Sequence, residues 1–219
     1  MQLLHHGFIA AAATAPLIAL AIDNVRLRKQ VRAARRDPLT GLLRREAWTS
    51  PARKLAAHSD AVAVLIDAND FKLLNDEHGH AAGDAVLAAL GQRLLAWVKT
   101  HQGTAVRLGG DEFAAIARIP HGRRHHLGLL HALLTQPLEH DGQSLPVSAS
   151  IGATPTTGRP LPDALRDADD AMYKAKRTNG KLHFAYPDPT AHRIVNGRRF
   201  GRPGTHMPAR WAAAAGGAS

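Results

Sequence analysis

The chain has no cysteine. That absence excludes a disulfide framework, thiolate zinc sites, iron–sulfur clusters and a cysteine nucleophile. It leaves the redox compartment open, since a chain without thiols suits either side of a membrane. Acids are missing where bases are densest. Residues 26–36 carry Arg26, Arg28, Lys29, Arg32, Arg35 and Arg36 with no acid, and the tail after Asp188 carries Arg193, Arg198, Arg199, Arg202 and Arg210 with none. The net charge of +10 therefore lives in two flanks, while residues 37–189 hold 17 basic and 17 acidic residues. A groove for nucleic acid needs basic charge on the fold itself, so no specific nucleic-acid partner is expected.

Charge of either sign is absent from Leu3 to Ile22. Twenty helical residues span about 30 Å, the thickness of a bilayer's hydrocarbon core. The basic run that follows should remain in the cytoplasm by the positive-inside rule. No positive region precedes the apolar stretch, which argues against a cleaved signal peptide, while Pro16, His5, His6 and the many alanines argue against a strong span. The expectation is a single-pass membrane helix at 1–22, with the rest of the chain on the cytoplasmic face of the cell membrane. Residues 23–36 lack Gly and Pro and can continue as a helix. Val25, Leu27 and Val31 are too few to establish a coiled coil, so a solvated basic helix and a connecting helix paired with its own copy both stay open.

The remaining composition is that of a globular body, with 45% hydrophobic residues over the chain. Ala61–Asp67 is a short apolar run ending in a carboxylate and reads as a buried strand. A helix over 83–99 follows, with Val86, Leu90, Leu94 and Val98 on one face. Strands at 104–108 and 113–119 flank Gly109-Gly110-Asp111-Glu112, a hairpin signal. A helix near 122–136, a strand at 145–151, a helix at 162–178 and a last strand near 182–186 complete the pattern. The fold class is α/β (α+β): a sandwich with a mostly antiparallel central sheet flanked by helices. The stretch 188–219 is rich in Gly, Pro, Ala and Arg without periodicity and reads as a disordered basic tail.

Three acids fall where strands end or turn: Asp67, Asp111 and Glu112. If the first strand lies beside the hairpin, these carboxylates converge, and a divalent cation best offsets their repulsion. The plainer alternative is that Asp111 and Glu112 are solvated turn residues. The run from Asp67 to Asp84 contains Asp70-Phe71-Lys72, Asn75-Asp76, Gly79-His80 and Gly83-Asp84. A loop so rich in backbone amides can receive phosphate oxygens, and Asn75 and Asp84 can read a purine edge.

Five motifs in order carry a resemblance: Asp37-Pro38-Leu39-Thr40-Gly41-Leu42, the run 67–84, Arg107-Leu108-Gly109-Gly110-Asp111-Glu112-Phe113, Ser150-Ile151-Gly152, and Ala168-Asp169-Asp170-Ala171-Met172-Tyr173-Lys174-Ala175-Lys176. Together they span residues 37–186, and the chain resembles the GGDEF domain of diguanylate cyclases. The resemblance implies a palm-like, nucleotidyl-cyclase-like fold over 37–187 that condenses two GTP into cyclic di-GMP and releases two pyrophosphates. It implies Asp67, Asp111 and the Ala68 carbonyl as ligands of two Mg²⁺ ions, with Mn²⁺ able to substitute. Glu112 would aid metal binding or hydroxyl deprotonation, making Asp111 and Glu112 the catalytic pair. Asn75 and Asp84 would hold guanine. The Asp70 and Phe71 amides, Lys72 and Lys176 would meet phosphates, and Gly109 and Gly110 would let the hairpin approach the nucleotide. Each domain would hold one GTP, so the active species would be a homodimer, tethered through the N-terminal helix.

Departures from the family pattern are specific. Arg44 replaces a usual Asn before Arg45, and Asn69 replaces a common Asp that is not a metal ligand. Gly180-Lys181 is displaced by one residue, leaving Lys181 open as a phosphate contact. Thr100-His101-Gln102-Gly103 stands where many members have an Arg-x-x-Asp inhibitory site, so no product feedback is expected there. His125-His126 read as a solvated helix face, and Trp48 and Trp97 as core. The rival to an active cyclase is an inactive GGDEF module that binds GTP and regulates a partner, but the retention of Asp67, Asp111 and Glu112 favours the enzyme. An adaptor acting through its basic flanks is a third reading, which the neutral body disfavours.

Overall fold

A computed structural model describes residues 20–28, 30–31, 33–177 and 182–185. The expected membrane span falls almost wholly outside the described residues, as do Lys181 and the 188–219 tail. Among the described residues no helix is long and apolar enough to cross a membrane. Helical backbone at 20–28, 30–31 and 33–34 is labelled α1. The body then runs α2 (Arg45–Ala56), β1 (Ala61–Ala68), α3 (Phe71–Thr100), β2 (Thr104–Gly109), β3 (Glu112–Arg118), α4 (Arg123–Leu134), β4 (Leu138–His140), β5 (Gln143–Leu145), β6 (Ala149–Pro155), α5 (Leu161–Arg177) and β7 (Leu182–Phe184).

Five strands form the main sheet in the order β2-β3-β1-β6-β7. β1 is central and antiparallel to β3 and β6, and β7 is parallel to β6. Every residue of β1 is buried, because helices cover both faces and the run Ala-Val-Ala-Val-Leu-Ile has no polar side to present. Alternation along the strand divides the core. Val62, Val64, Ile66 and Ala68 join Val86, Leu90 and Leu94 of α3 and Leu127 and Leu130 of α4. Ala61, Ala63 and Leu65 join Trp48 of α2 and Leu165, Ala168 and Met172 of α5. Trp48 and Trp97 are both core, as expected.

α5 lies unusually close to the sheet. Its inward positions Ala164, Ala168, Ala171 and Ala175 are buried, and a Cβ at Gly152 on β6 would overlap the Ala168 carbonyl and the Met172 amide. The glycine of Ser150-Ile151-Gly152 is thus required by close packing, and it sets the height of α5 over the strand ends.

Three elements differ from the sequence reading. The presumed loop 70–84 is mostly helix: α3 begins at Phe71 and runs through a break at Gly79 (φ 82°, ψ 162°). The strand expected at 145–151 is two strands, β5 ending at Leu145 and β6 starting at Ala149, with Pro146 between them unable to donate to a ladder. The β4–β5 hairpin turns through Asp141 and Gly142, both at positive φ, an Asp-Gly signal for a tight turn. Finally, α2 is an element the sequence pattern does not indicate, and it carries Pro51 in its interior. Burial of Trp48, Ala52 and Ala56 along one side holds the helix despite the lost backbone bond.

Candidate active site

β1 delivers Asp67 to the end of the central strand, where the residue is only 2% exposed. Its register partners are Glu112 on β3 and Ser150 on β6. Directly opposed residues of antiparallel strands project from the same face, so Asp67 and Glu112 share the face covered by α2 and α5. Lys176, in the last turn of α5, places its ammonium 2.5 Å from Asp67 Oδ1. A buried carboxylate needs a cation or strong donors, and here α5 supplies the cation. The last-helix lysine expected to meet phosphate therefore meets the candidate metal ligand.

The hairpin between β2 and β3 carries Asp111 and Glu112. Gly109 (φ 150°) and Gly110 (φ 55°) make its turn, after a register shift between Arg107 and Gly109. Its conformation is held from the side. Arg107 donates through Nε and Nη2 to the Gly110 carbonyl at 2.9 and 2.7 Å, and its Nη1 faces Asp37 Oδ1 at 3.4 Å. Asp37 accepts in turn from the Thr40 amide at 2.9 Å and the Thr40 hydroxyl at 2.7 Å. Burial alone would push the Asp37 carboxyl up, but the Thr40 hydrogen bonds and the Arg107 charge outweigh it and hold it below its ordinary value. The Asp37-to-Leu42 motif thus works as a turn that fastens the acidic hairpin to the end of α1. The Asp111 carbonyl also accepts the Ala68 amide at 3.2 Å, tying the hairpin to β1.

Beyond Ala68 the chain makes a two-residue turn. Asn69 accepts from the Ser150 hydroxyl at 2.8 Å and donates to Ser148 Oγ at 3.0 Å, so this departure from the family pattern locks β1 to β6. Asp70 adopts the left-handed conformation (φ 53°, ψ 25°) and α3 starts at Phe71. The first turn of α3 carries no acid, and no side chain of Asp70 caps it. The first amides of a helix have no intrahelical acceptor, so those at Phe71 and Lys72 are suited to an anion. One turn on, Asn75 lies across Gly83: a Cβ there would overlap Asn75 Oδ1 and come within 3.2 Å of Phe71 Cζ. The Gly79 break thus folds the first part of α3 back so that Asn75 sits beside Gly83, next in sequence to exposed Asp84.

The donor set at the strand end is all oxygen: the Asp67, Asp111 and Glu112 carboxylates and the Ala68 carbonyl. Hard oxygen donors suit Mg²⁺ or Mn²⁺ and not zinc or copper. Among the described residues no three acidic or imidazole side chains converge closely enough to hold a metal by themselves. That fits magnesium bound through one or two carboxylates with substrate phosphates completing its shell.

Two further residues act at the site with no local signal in the sequence. Arg107 lies within the hairpin motif, and its spacing from Gly110 gives no sign of the bond between them. Arg45, the first residue of α2, lies where burial lowers its guanidinium pKa while the charges of Glu46 and Glu112 oppose that shift. It is a cation facing the hairpin glutamate.

A mostly antiparallel sheet with acids at one strand end, beside an uncapped helix N-terminus, matches a nucleotidyl-cyclase-like α/β domain. Residues 34–181 match the family described as diguanylate cyclase, GGDEF domain, and the chain belongs to that family. It is 45% identical over 170 residues to an uncharacterised 19.3 kDa protein in the repSA 5′ region of Streptomyces ambofaciens, covering 76% of this chain and 91% of that protein. It is 35% identical over 155 residues to the diguanylate cyclase DgcN of Escherichia coli, covering 67% of this chain but only 38% of that enzyme. Among solved structures, a sensory box/GGDEF family protein of Caulobacter crescentus superposes with a TM-score of 0.58 at 32% identity, covering 66% of this chain and 99% of that one.

Proposed function

We propose that the chain is a diguanylate cyclase, condensing two GTP into cyclic di-GMP with release of two pyrophosphates. The observation that carries this reading is the register of Asp67 against Glu112 at the end of β1, with Asp111 next in the braced hairpin. In this reading the domain spans 37–187, and Asn75 and Asp84 hold guanine by its polar edge. The Asp70 and Phe71 amides and Lys72 receive phosphate oxygens, and Lys176 swings from Asp67 to join them. Gly109 and Gly110 keep the hairpin free of side chains where the nucleotide lies. Asp67, Asp111 and the Ala68 carbonyl hold Mg²⁺, two ions per site, and Glu112 holds metal or accepts the proton of the ribose 3′-hydroxyl. Mg²⁺ bound there would supply a lowered pKa for that hydroxyl and charge neutralisation at the α-phosphate. Arg107 and Asp37 fix the hairpin so that its acids need not reorganise during the reaction.

One domain holds one GTP, so the product forms between two copies, and the working species is a homodimer. The apolar segment 1–22 tethers it to the cell membrane with the GGDEF domain on the cytoplasmic side. The test is incubation of the purified full chain with GTP and Mg²⁺, with products separated chromatographically. Cyclic di-GMP is expected from the parent and not from Asp111→Asn or Glu112→Gln. GTP binding without product in a dimeric preparation would overturn the cyclase and leave a GTP-binding regulatory module.

A further inference from the structure

The turn from β1 into α3 is two residues long, and its second residue is left-handed. Asp70 (φ 53°, ψ 25°) adopts a conformation uncommon without glycine, one that persists only where neighbouring contacts impose it. Asn69 supplies those contacts. Its backbone amide donates to the Ser148 carbonyl at 2.9 Å, its Nδ2 donates to Ser148 Oγ at 3.0 Å, and its Oδ1 accepts the Ser150 hydroxyl at 2.8 Å. Ser150 has no exposed surface, so no water can stand in for Asn69 at that hydroxyl. Asn69 therefore pins the chain between the Ala68 carbonyl and the first amides of α3.

The side chain also lies where charge counts. Ser150 is the register partner of Asp67, and opposed residues project from one face. The Asn69 amide, bonded to Ser150, is thus held on the Asp67 side of the sheet. Around this strand end stand three carboxylates, Asp67, Asp111 and Glu112, and two cations, Lys176 at Asp67 and Arg45 toward Glu112. One net negative charge is left for a divalent metal to meet. A carboxylate at position 69 could accept from both serine hydroxyls in the same place, so position alone does not call for an amide. What the amide adds is neutrality. Charges in a partly buried site interact several-fold more strongly than in water, so one charge here bears directly on metal affinity.

We propose that Asn69 is a positioning residue for the metal site in two ways: its hydrogen bonds fix the Ala68 carbonyl, and its neutrality holds metal affinity low, so that the ion is retained only together with nucleotide phosphates. The inference rests on the proposed reading of Asp67, Asp111 and Ala68 as metal ligands.

The two contributions separate by sign. Mn²⁺ affinity of the full chain is measured by electron paramagnetic resonance, alone and with a non-hydrolysable GTP analogue. Asn69→Ala removes hydrogen bonds without adding charge, and should weaken Mn²⁺ binding with the analogue by about fivefold or more. Asn69→Asp keeps the acceptors and adds a charge, and should tighten Mn²⁺ binding in both conditions by about fivefold or more. Ser150→Ala removes one bond and leaves Asn69 in place. It should weaken binding by about threefold, and it carries the test of position if Asn69→Ala fails to fold. A residue needed only for the fold would give losses in both Asn69 variants, and that pattern, or unchanged affinities, would overturn the proposal. The readout is metal binding and not turnover. A chain that shows the expected pattern but makes no cyclic di-GMP would sink the cyclase and leave the role of Asn69 standing. A chain that makes cyclic di-GMP while Asn69→Asp leaves Mn²⁺ affinity unaltered would do the reverse, and no Mn²⁺ binding by any of these proteins would overturn both.

Discussion

The Lys176 ammonium sits 2.5 Å from Oδ1 of Asp67, so a helix lysine and a central-strand carboxylate neutralise each other at the site. Asp67 is nearly inaccessible, whereas a quarter of the Lys176 side chain is exposed. The lysine is therefore the more solvent-accessible partner, and it occupies the carboxylate that a divalent cation would use.

Replacing Lys176 by Met leaves Asp67 without its cation. The metal-free protein should lose about 1–3 kcal/mol, less than for a fully buried pair because Lys176 is partly solvated. Saturating Mn²⁺ without nucleotide, where Lys176 has no phosphate to meet, should then raise the melting temperature more in Lys176→Met than in the parent. Equal thermal shifts in the two proteins would count against competition between lysine and metal.

Metal affinity should depend on nucleotide, because among the described residues no three acidic or imidazole side chains form a closed cage. Titration with Mn²⁺, followed by its electron paramagnetic resonance signal, should show weak binding alone and at least about tenfold tighter binding with a non-hydrolysable GTP analogue. Tight binding without nucleotide would contradict the expectation.

Asp37→Asn should loosen the hairpin brace, with a pH signature. The folded-state pKa of Asp37 is lowered from 3.8, so its stabilisation is fully present above that value and is lost as pH falls through the lower folded value. The variant should be less stable by about 1 kcal/mol at pH 7, with the gap closing as the pH is taken well below the ordinary value of 3.8. Denaturant unfolding at both pH values checks this, and a gap constant with pH would refute it.

Gly83→Ala and Gly152→Ala should part company. At Gly83 the obstacle is the flexible end of Asn75, so the fold should survive while the displaced amide lowers GTP affinity by about tenfold or more. At Gly152 the obstacle is the α5 backbone, and overpacking there should cost about 3 kcal/mol or more. Isothermal titration for the first and thermal unfolding for the second separate the cases; an unaltered GTP affinity in Gly83→Ala would deny Asn75 its role.

The sheet was legible because its strands announce themselves: Ala61–Asp67 is apolar on both sides, and the paired glycines at 109 and 110 mark the hairpin. Convergence of Asp67 with the hairpin followed once those strands were placed together. What stayed hidden depended on distance through space. Nothing local in Phe71–His78 separates a helix from a polar loop, since its face is finished by Gly83 beyond a break. Pro51 masked α2 because burial of Trp48 overrides propensity there. The Lys176–Asp67 and Arg107–Asp37 pairs join residues more than sixty positions apart, and only the packed sheet brings them together.

The strand β1 is also a partition. Asn75 and Asp84 belong to α3, which covers one face, whereas Asp67, Glu112 and Lys176 gather on the other with α2 and α5. In the proposed reading, the base and part of the phosphate chain are held from the α3 layer, whereas the metal carboxylates sit on the other, and the two layers share only a strand. Mutation can erode one layer while the other stays intact, so on that reading the fold would yield descendants that still hold a guanine nucleotide after losing the carboxylates that turn it over.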